Sequence, residues 1–286
     1  MSEYRFSALD LSPNGIAETS TLLTSVFGSE AKLTPEFIHW EYNENPVGPA
    51  VGFNAWMDDE LAAHYVTQPM VATFNGHQRR GLLSLNTATH ENHRGKKLFT
   101  ILADKTYEAG LHQGYEFVIG VANANSTPGF LKNLNFTLIC PLQVKFGAGV
   151  PSAVLNGKYQ CTRFWDKNML AWRLSNPKLQ YEIVKQKDQF VVLAPTGKYG
   201  IRAVLGAFPL DLLPENINLK SRGGVNPVNI WMGLDEHLSW KGKLYFNFPD
   251  KLKPSPLNLI FRDLTCKNLI PKPEQIRFMS LDFDAY

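Results

Sequence analysis

The spacing of hydrophobic positions changes several times along this chain, and each change marks an element. Residues 11–27 open with Ser12-Pro13-Asn14-Gly15 and then place Ile16, Leu22, Leu23, Val26 and Phe27 at helical spacing. A second helix is predicted from Thr34-Pro35-Glu36, where Thr34 caps and Pro35 takes the first helical position. Its face carries Phe37, Ile38, Trp40 and Glu41, and the breaker-rich loop 43–48 ends it. Residues 50–57 and 61–67 read as a hairpin about Asp58-Asp59 that continues through 69–73 to Asn75-Gly76. Asn-Gly between apolar runs signals a tight hairpin turn. Residues 82–88 alternate apolar and small polar side chains as a half-buried strand does. From Leu98 the period becomes helical again, followed by an apolar strand at 115–122, a short helix at 128–134 and a strand at 136–146. The order predicts a mixed α/β sheet, an antiparallel meander interrupted by one long helical crossover.

Between strand and crossover helix stands Thr89-His-Glu-Asn-His-Arg-Gly-Lys-Lys-Leu98. The first N–H groups of a helix have no partner inside it and carry the positive end of the helix dipole, so such a turn is a ready anion site. Gly95 lets a ligand approach the main chain, and Arg94, Lys96 and Lys97 add positive charge. The expected anion is a phosphate or pyrophosphate. The turn lacks the Gly-Lys-Ser/Thr of a P-loop and the repeated glycines of a dinucleotide fingerprint.

These residues resemble the acyl-CoA-binding turn of the GNAT superfamily of N-acyltransferases, Gln/Arg-x-x-Gly-x-Gly/Ala between a strand and a helix. Asn92 takes the Gln/Arg place, Gly95 the first glycine and Lys97 the second. Thr89-His90, Arg94-Gly95 and Leu98-Phe99 are similar to a bacterial branch that acylates amino sugars carried on a nucleotide. The resemblance implies a GNAT-type sheet, mixed and mostly antiparallel with flanking helices, and a cofactor turn of Ala88, Thr89, Arg94, Gly95, Lys96, Lys97, Leu98 and Phe99. It implies that Asn125, with Asn123 second, holds the pantetheine arm in a gap between splayed strands. A Tyr that protonates the departing thiolate belongs at Phe130 or Leu131, where this chain has none. Trp40, Tyr42 and Asn45 match the acceptor-side loop, with Tyr65 on the preceding hairpin.

Acyl transfer from a thioester to an amine needs a neutral amine, an oxyanion site and a proton for the thiolate, and requires no metal. Strand 82–89 has no carboxylate, so His90 and Glu91 at its end are the candidate bases, with His64 in reserve beside a water relay. The implied function is transfer of an acetyl or short hydroxyacyl group, such as 3-hydroxybutyryl, from CoA to a dTDP-type amino-deoxysugar for surface polysaccharide synthesis. Two other readings fit the same residues: transfer to a protein, peptide or antibiotic amine, and a non-catalytic protein that binds CoA or another nucleotide.

Composition narrows the partners. With 286 residues, 44% of them hydrophobic, the chain holds enough apolar material for one large or two ordinary domains. A net charge of +3 with dispersed basic residues does not point to nucleic acid. Residues 1–6 carry no apolar signal core, no apolar run approaches bilayer length, and Cys140, Cys161 and Cys266 are too scattered for a zinc pattern or disulfide framework. A cytoplasmic protein with a small-molecule substrate and no membrane contact is the expectation. The Gly- and Pro-bearing stretch 146–151 suggests a boundary, giving a GNAT domain at 1–150 and a β-rich second domain at 151–286 that completes the acceptor pocket. In the latter, Met169-Leu-Ala-Trp172-Arg-Leu-Ser-Asn176-Pro177 echoes Phe37-Ile-His-Trp40-Glu-Tyr-Asn-Glu-Asn45-Pro46. Either a degenerate GNAT-like repeat or a plain β-rich domain fits, with strands near 181–185, 189–194, 200–207, 228–232, 244–248 and 257–262. The Pro-rich stretches 251–257 and 270–273 read as connectors.

Overall fold

The computed structural model describes residues 3–153, 157–198, 200–215, 217, 220–221, 228–249 and 256–283. Residues 251–255 of the first Pro-rich stretch and the terminal residues 284–286 lie outside this set. The chain forms two compact units: residues 1–71, 79–138 and 260–270 make one, and residues 72–78, 139–259 and 271–286 make the other. Both are discontinuous, whereas the sequence reading divides the chain once, after residue 150.

In the first unit, β1 (Arg5–Ala8), α1 (Pro13–Phe27) and α2 (Pro35–Asn43) precede β2 (Val51–Met57), β3 (Glu60–Phe74) and β4 (His77–Thr89). Ser12 and Thr34 cap the two helices, their hydroxyls accepting from Gly15 N–H at 3.3 Å and Phe37 N–H at 3.2 Å. The β3–β4 turn places Asn75 and Gly76 at φ 49° and 83°, the two left-handed residues that a tight hairpin of this twist demands. The crossover α3 (Leu98–His112) leads to β5 (Phe117–Ala122), α4 (Thr127–Asn133) and β6 (Thr137–Pro141). Leu98, Leu102, Ala103, Thr106, Tyr107 and Gly110 form the buried stripe of α3, recurring at steps of three or four residues with Leu102-Ala103 and Thr106-Tyr107 as adjacent pairs. Burial of Leu102, at 0% exposure, contributes roughly 1.5–3 kcal/mol.

The predicted strand 136–146 divides at Leu142, whose N–H turns aside to Leu257 O at 2.8 Å, so β6 stops there and β7 (Gln143–Ala148) begins. Next come β8 (Cys161–Arg163), α5 (Lys167–Leu174), β9 (Glu182–Lys185), β10 (Gln189–Pro195), β11 (Ile201–Pro209), β12 (Lys220–Ser221), β13 (Val228–Leu234), β14 (Leu244–Asn247), β15 (Asn258–Asp263) and β16 (Ile276–Met279). The first unit's strand order is β1-β2-β3-β4-β5-β15-β6, with β4 and β5 parallel. β15, from far down the chain, stands between β5 and β6.

The second unit repeats part of this plan. A capped helix, α5, precedes antiparallel β9, β10 and β11, and β11 runs parallel to β13 as β4 does to β5. The Trp…Asn-Pro echo has a shared local structure. Asn45 Oδ1 accepts from Val47 N–H at 3.1 Å and Asn176 Oδ1 from Lys178 N–H at 2.8 Å, so each Asn closes a side-chain turn after its helix. No helix among the described residues is long and apolar enough to cross a membrane.

Candidate active site

After Thr89 the chain turns through His90 and a single 3-10 turn, Glu91–His93, and reaches α3 through Gly95 at φ 78° and Lys97 at φ 61°. Gly95 meets that geometry without a Cβ penalty. Lys97 does not, and its left-handed φ explains why glycine suits this place in the resembled pattern; a side chain there costs about 1–2 kcal/mol. No side chain caps α3, so its leading N–H groups have no side-chain partner at the cap, next to Arg94, Lys96 and Lys97, all exposed. A Cβ at Gly95 would meet nothing within 4 Å, so the space over the turn is open to an anion.

Next to the turn, β4 and β5 part. Their parallel register runs from Gly81↔Phe117 to Ser84↔Gly120 and goes no further. A cleft of about 430 Å³ opens where pairing ends, walled by Ser84 to Thr87 on β4, Val121 on β5, Asn123 and Asn125 just after it, and Phe99 and Phe130 on the helices. In a regular strand, side chains alternate between faces. Leu85, Asn86 and Thr87 all reach one cleft because Asn86 takes φ 42° and breaks that alternation. No Asp, Glu, His, Lys or Arg is among the lining residues.

Two hydrogen-bond networks stand behind this wall. In the first, Ser84 Oγ lies 2.8 Å from Tyr65 Oη, which is 2.5 Å from Tyr107 Oη, and the Arg262 guanidinium lies 4.8 Å from the Tyr107 ring centre. Burial pushes the Tyr65 phenol up to about 12 and Tyr107 well above its ordinary value. In the second, the Asn86 amide donates to the buried Glu41 carboxylate and to Tyr42 Oη at 3.3 Å. His64 Nδ1 lies 2.8 Å from Asn54 Oδ1 and its Nε2 3.1 Å from Tyr42 Oη. With Nδ1–H donating to Asn54, Nε2 accepts from Tyr42.

Burial lowers the His64 pKa from 6.5 to about 3. Its stabilising contribution is therefore complete above pH 6.5 and is lost as pH falls toward 3, because the unfolded chain takes up the proton first. Between pH 6.5 and 5, urea unfolding should record a loss of about 2 kcal/mol that the His64→Gln protein does not show. Equal losses in both proteins would remove His64 as the cause.

The structure brings Phe99, Asn123, Asn125 and Phe130 to the cleft and Arg94, Gly95, Lys96 and Lys97 to the mouth of α3. Thr89 is half-buried at the end of β4, while Ala88 and Leu98 are core. Asn123 closes its own turn, its Oδ1 accepting from the N–H groups of Asn125 and Ser126 at 3.0 Å each, which leaves Asn125 the freer amide. Trp40, Tyr42, Asn45 and Tyr65, expected at the acceptor, are instead interior, each at 5% exposure or less. Trp40 packs at 5.6 Å against Phe37, and Asn45 holds Pro69 O at 2.7 Å. His64, expected as a reserve base, is fully buried and neutral, so it positions rather than collects protons. His90 and Glu91 do not line the cleft; the His90 ring faces Glu60 at 3.6 Å. Ser84, Asn86, Glu41 and Tyr107 carry no local signal in the sequence, because the contacts that join them to the two networks span 19 to 45 residues.

A cationic helix start beside two parting parallel strands is the geometry that the resemblance implies, and residues 10–139 match the sequence profile of the acetyltransferase (GNAT) domain. Over this stretch the chain is similar to GNAT acetyltransferases. The chain thus carries the domain of an acyl-transferring enzyme. Solved structures extend the likeness of fold beyond the GNAT domain. A GCN5-related N-acetyltransferase from Anabaena variabilis superposes with TM-score 0.61 at 11% identity, over 91% of this chain and 73% of that one. Saccharomyces cerevisiae N-myristoyltransferase, solved with bound myristoyl-CoA, gives 0.56 at 11% identity over 91% and 83%. Eis1 from Mycobacterium abscessus gives 0.57 at 10% identity over 92% and 74%. No curated protein matches the sequence.

Proposed function

We propose that this protein transfers an acetyl or short hydroxyacyl group from CoA to the amine of a nucleotide-linked amino sugar, by direct attack in a ternary complex. The observation that supports acyl transfer most is the parting of β4 and β5 after Ser84↔Gly120 beside the uncapped start of α3. Arg94, Lys96, Lys97 and the leading N–H groups of α3 would hold the pyrophosphate, and Asn125 the pantetheine arm. Acyl-CoA supplies an activated thioester. Asn86 lines the cleft with its backbone kinked at φ 42°, and main-chain N–H groups there would steady the carbonyl oxygen as it gains charge. Ser84 would give its hydroxyl proton to the thiolate and take one from the nitrogen that has attacked, a shuttle that leaves the side chain unchanged. Tyr65, protonated at any working pH, would hold Ser84 for this task. That role fills the place left by Phe130.

The amino-sugar acceptor rests on the likeness of residues 89–99 to one bacterial branch. The test is release of free thiol from acetyl-CoA and 3-hydroxybutyryl-CoA against dTDP- and UDP-linked amino sugars, peptides, aminoglycosides and simple amines. Turnover on a nucleotide sugar is the expected result. Turnover confined to another amine would keep the reaction and replace the acceptor, and acyl-CoA binding with no turnover on any amine would leave a binding protein.

A further inference from the structure

None of the residues Glu60, His90 and His93 lines the β4/β5 cleft, yet they converge. Glu60 begins β3, and His90 and His93 bracket the 3-10 turn after β4, with His90 N–H held by Ala62 O at 2.9 Å. The Glu60 carboxylate spans both rings, Oε1 at 3.6 Å from His90 Nδ1 and Oε2 at 3.4 Å from His93 Nε2. One atom from each residue lies within 4.8 Å of the other two. Both of those ring nitrogens are closed to solvent and lack a hydrogen-bond partner, and His93 is only 9% exposed. Leaving two such atoms unsatisfied is costly unless something else binds them.

The other nitrogen of His93 is spoken for. Tyr4 Oη lies 2.8 Å from His93 Nδ1, with the two rings edge to face. A proton on Nδ1 donated to Tyr4 leaves Nε2 as a bare lone pair aimed at Glu60. Metal-ligating histidines are held in this way, one nitrogen fixed by an outer partner and the other turned to the ion. Glu60 is about half exposed at 53% and also borders a shallow cleft with Asp59 and His90, so a water can reach a fourth position.

We propose that Glu60, His90 and His93 bind one divalent transition ion of the zinc class, with water completing the coordination. Two imidazoles and a carboxylate are a donor set suited to zinc, at metal–ligand distances of about 2.0–2.2 Å that a small contraction of the present cluster would reach. The ion would fasten the turn that leads to Gly95 onto the start of β3, a structural latch independent of acyl transfer. It would also withdraw His90 from service as a base.

The test uses tag-free protein stripped with EDTA and titrated with zinc and with cobalt(II). Expected are one tightly bound zinc per chain, a visible cobalt spectrum of low-symmetry four- or five-coordinate type, and a higher Tm with zinc. Glu60→Gln, a half-exposed change that spares the fold, should weaken binding about ten- to hundredfold, and Tyr4→Phe about tenfold through the lost outer hydrogen bond. His93→Gln should abolish the cobalt spectrum. Fewer than about 0.1 zinc per wild-type chain, or unchanged binding in Glu60→Gln, would overturn the proposal and leave two histidine–glutamate ion pairs.

Discussion

In the Gly95→Val protein, acetyl-CoA binding is expected to weaken at least about tenfold, and turnover to fall with it. Gly95 holds φ 78° with open space above it, so the added side chain meets no wall. Its cost is conformational. A β-branched residue in the left-handed region loses about 2 kcal/mol or more, and the loop can relieve this by returning to negative φ. That return re-aims the N–H groups that lead into α3, while the side chain fills the approach to the main chain. Because 1.4 kcal/mol corresponds to a tenfold change in affinity, even partial relief should be visible by calorimetry. Gly95→Ala should fall between valine and wild type. A valine protein that binds and turns over normally would remove residues 89–98 from the site.

Ser84→Ala should lower kcat by about a hundredfold while leaving KM for acyl-CoA within about a factor of three, since general acid catalysis commonly contributes about 10²–10⁴. The deleted hydroxyl leaves Tyr65 still bonded to Tyr107, so stability should change little and the loss can be read as chemistry. Tyr65→Phe acts through Ser84 and should lower kcat about tenfold, but it leaves the half-buried Ser84 and the buried Tyr107 hydroxyls short of a partner and should cost about 1–3 kcal/mol in urea unfolding. With Tyr65 up at about 12, the wild-type rate should show no descending limb from this phenol below pH 10. An unchanged kcat in Ser84→Ala would place the thiolate's proton donor elsewhere, water included.

What could be read from the sequence was what short-range chemistry decides. Thr34-Pro35 starts α2, Asn75-Gly76 turns β3 into β4, and the alternation of 82–88 gives way to helical spacing at Leu98, each set by neighbours within a few residues. The shape of the turn before α3 belongs to the same class, since Gly95 and the cations around it are set by neighbours within a few residues. Acceptor-side expectations fared differently. Trp40, Tyr42 and Tyr65 are large and have polar tips, a profile shared by ligand-stacking and core residues, and only the tertiary packing separates the two. His64 is likewise a plausible base until burial withdraws its proton. The kink at Asn86 left no trace in a strand pattern that otherwise alternates.

β15 was read as one more strand of a second half, whereas residues 260–263 of it belong to the first unit and stand between β5 and β6. Its placement has a consequence for synthesis in the cell. While the ribosome is still translating the middle of the message, the wall of the β4/β5 cleft formed by β5 has an open edge, and its neighbour does not yet exist. More than 130 residues separate Ala122 from Asn258, so the pairing must wait for nearly the whole chain and then form across a long loop, which is slow. Nascent protein would thus pass through a stage with an unpaired, apolar strand edge. A stop codon anywhere before residue 258 would make the stage permanent.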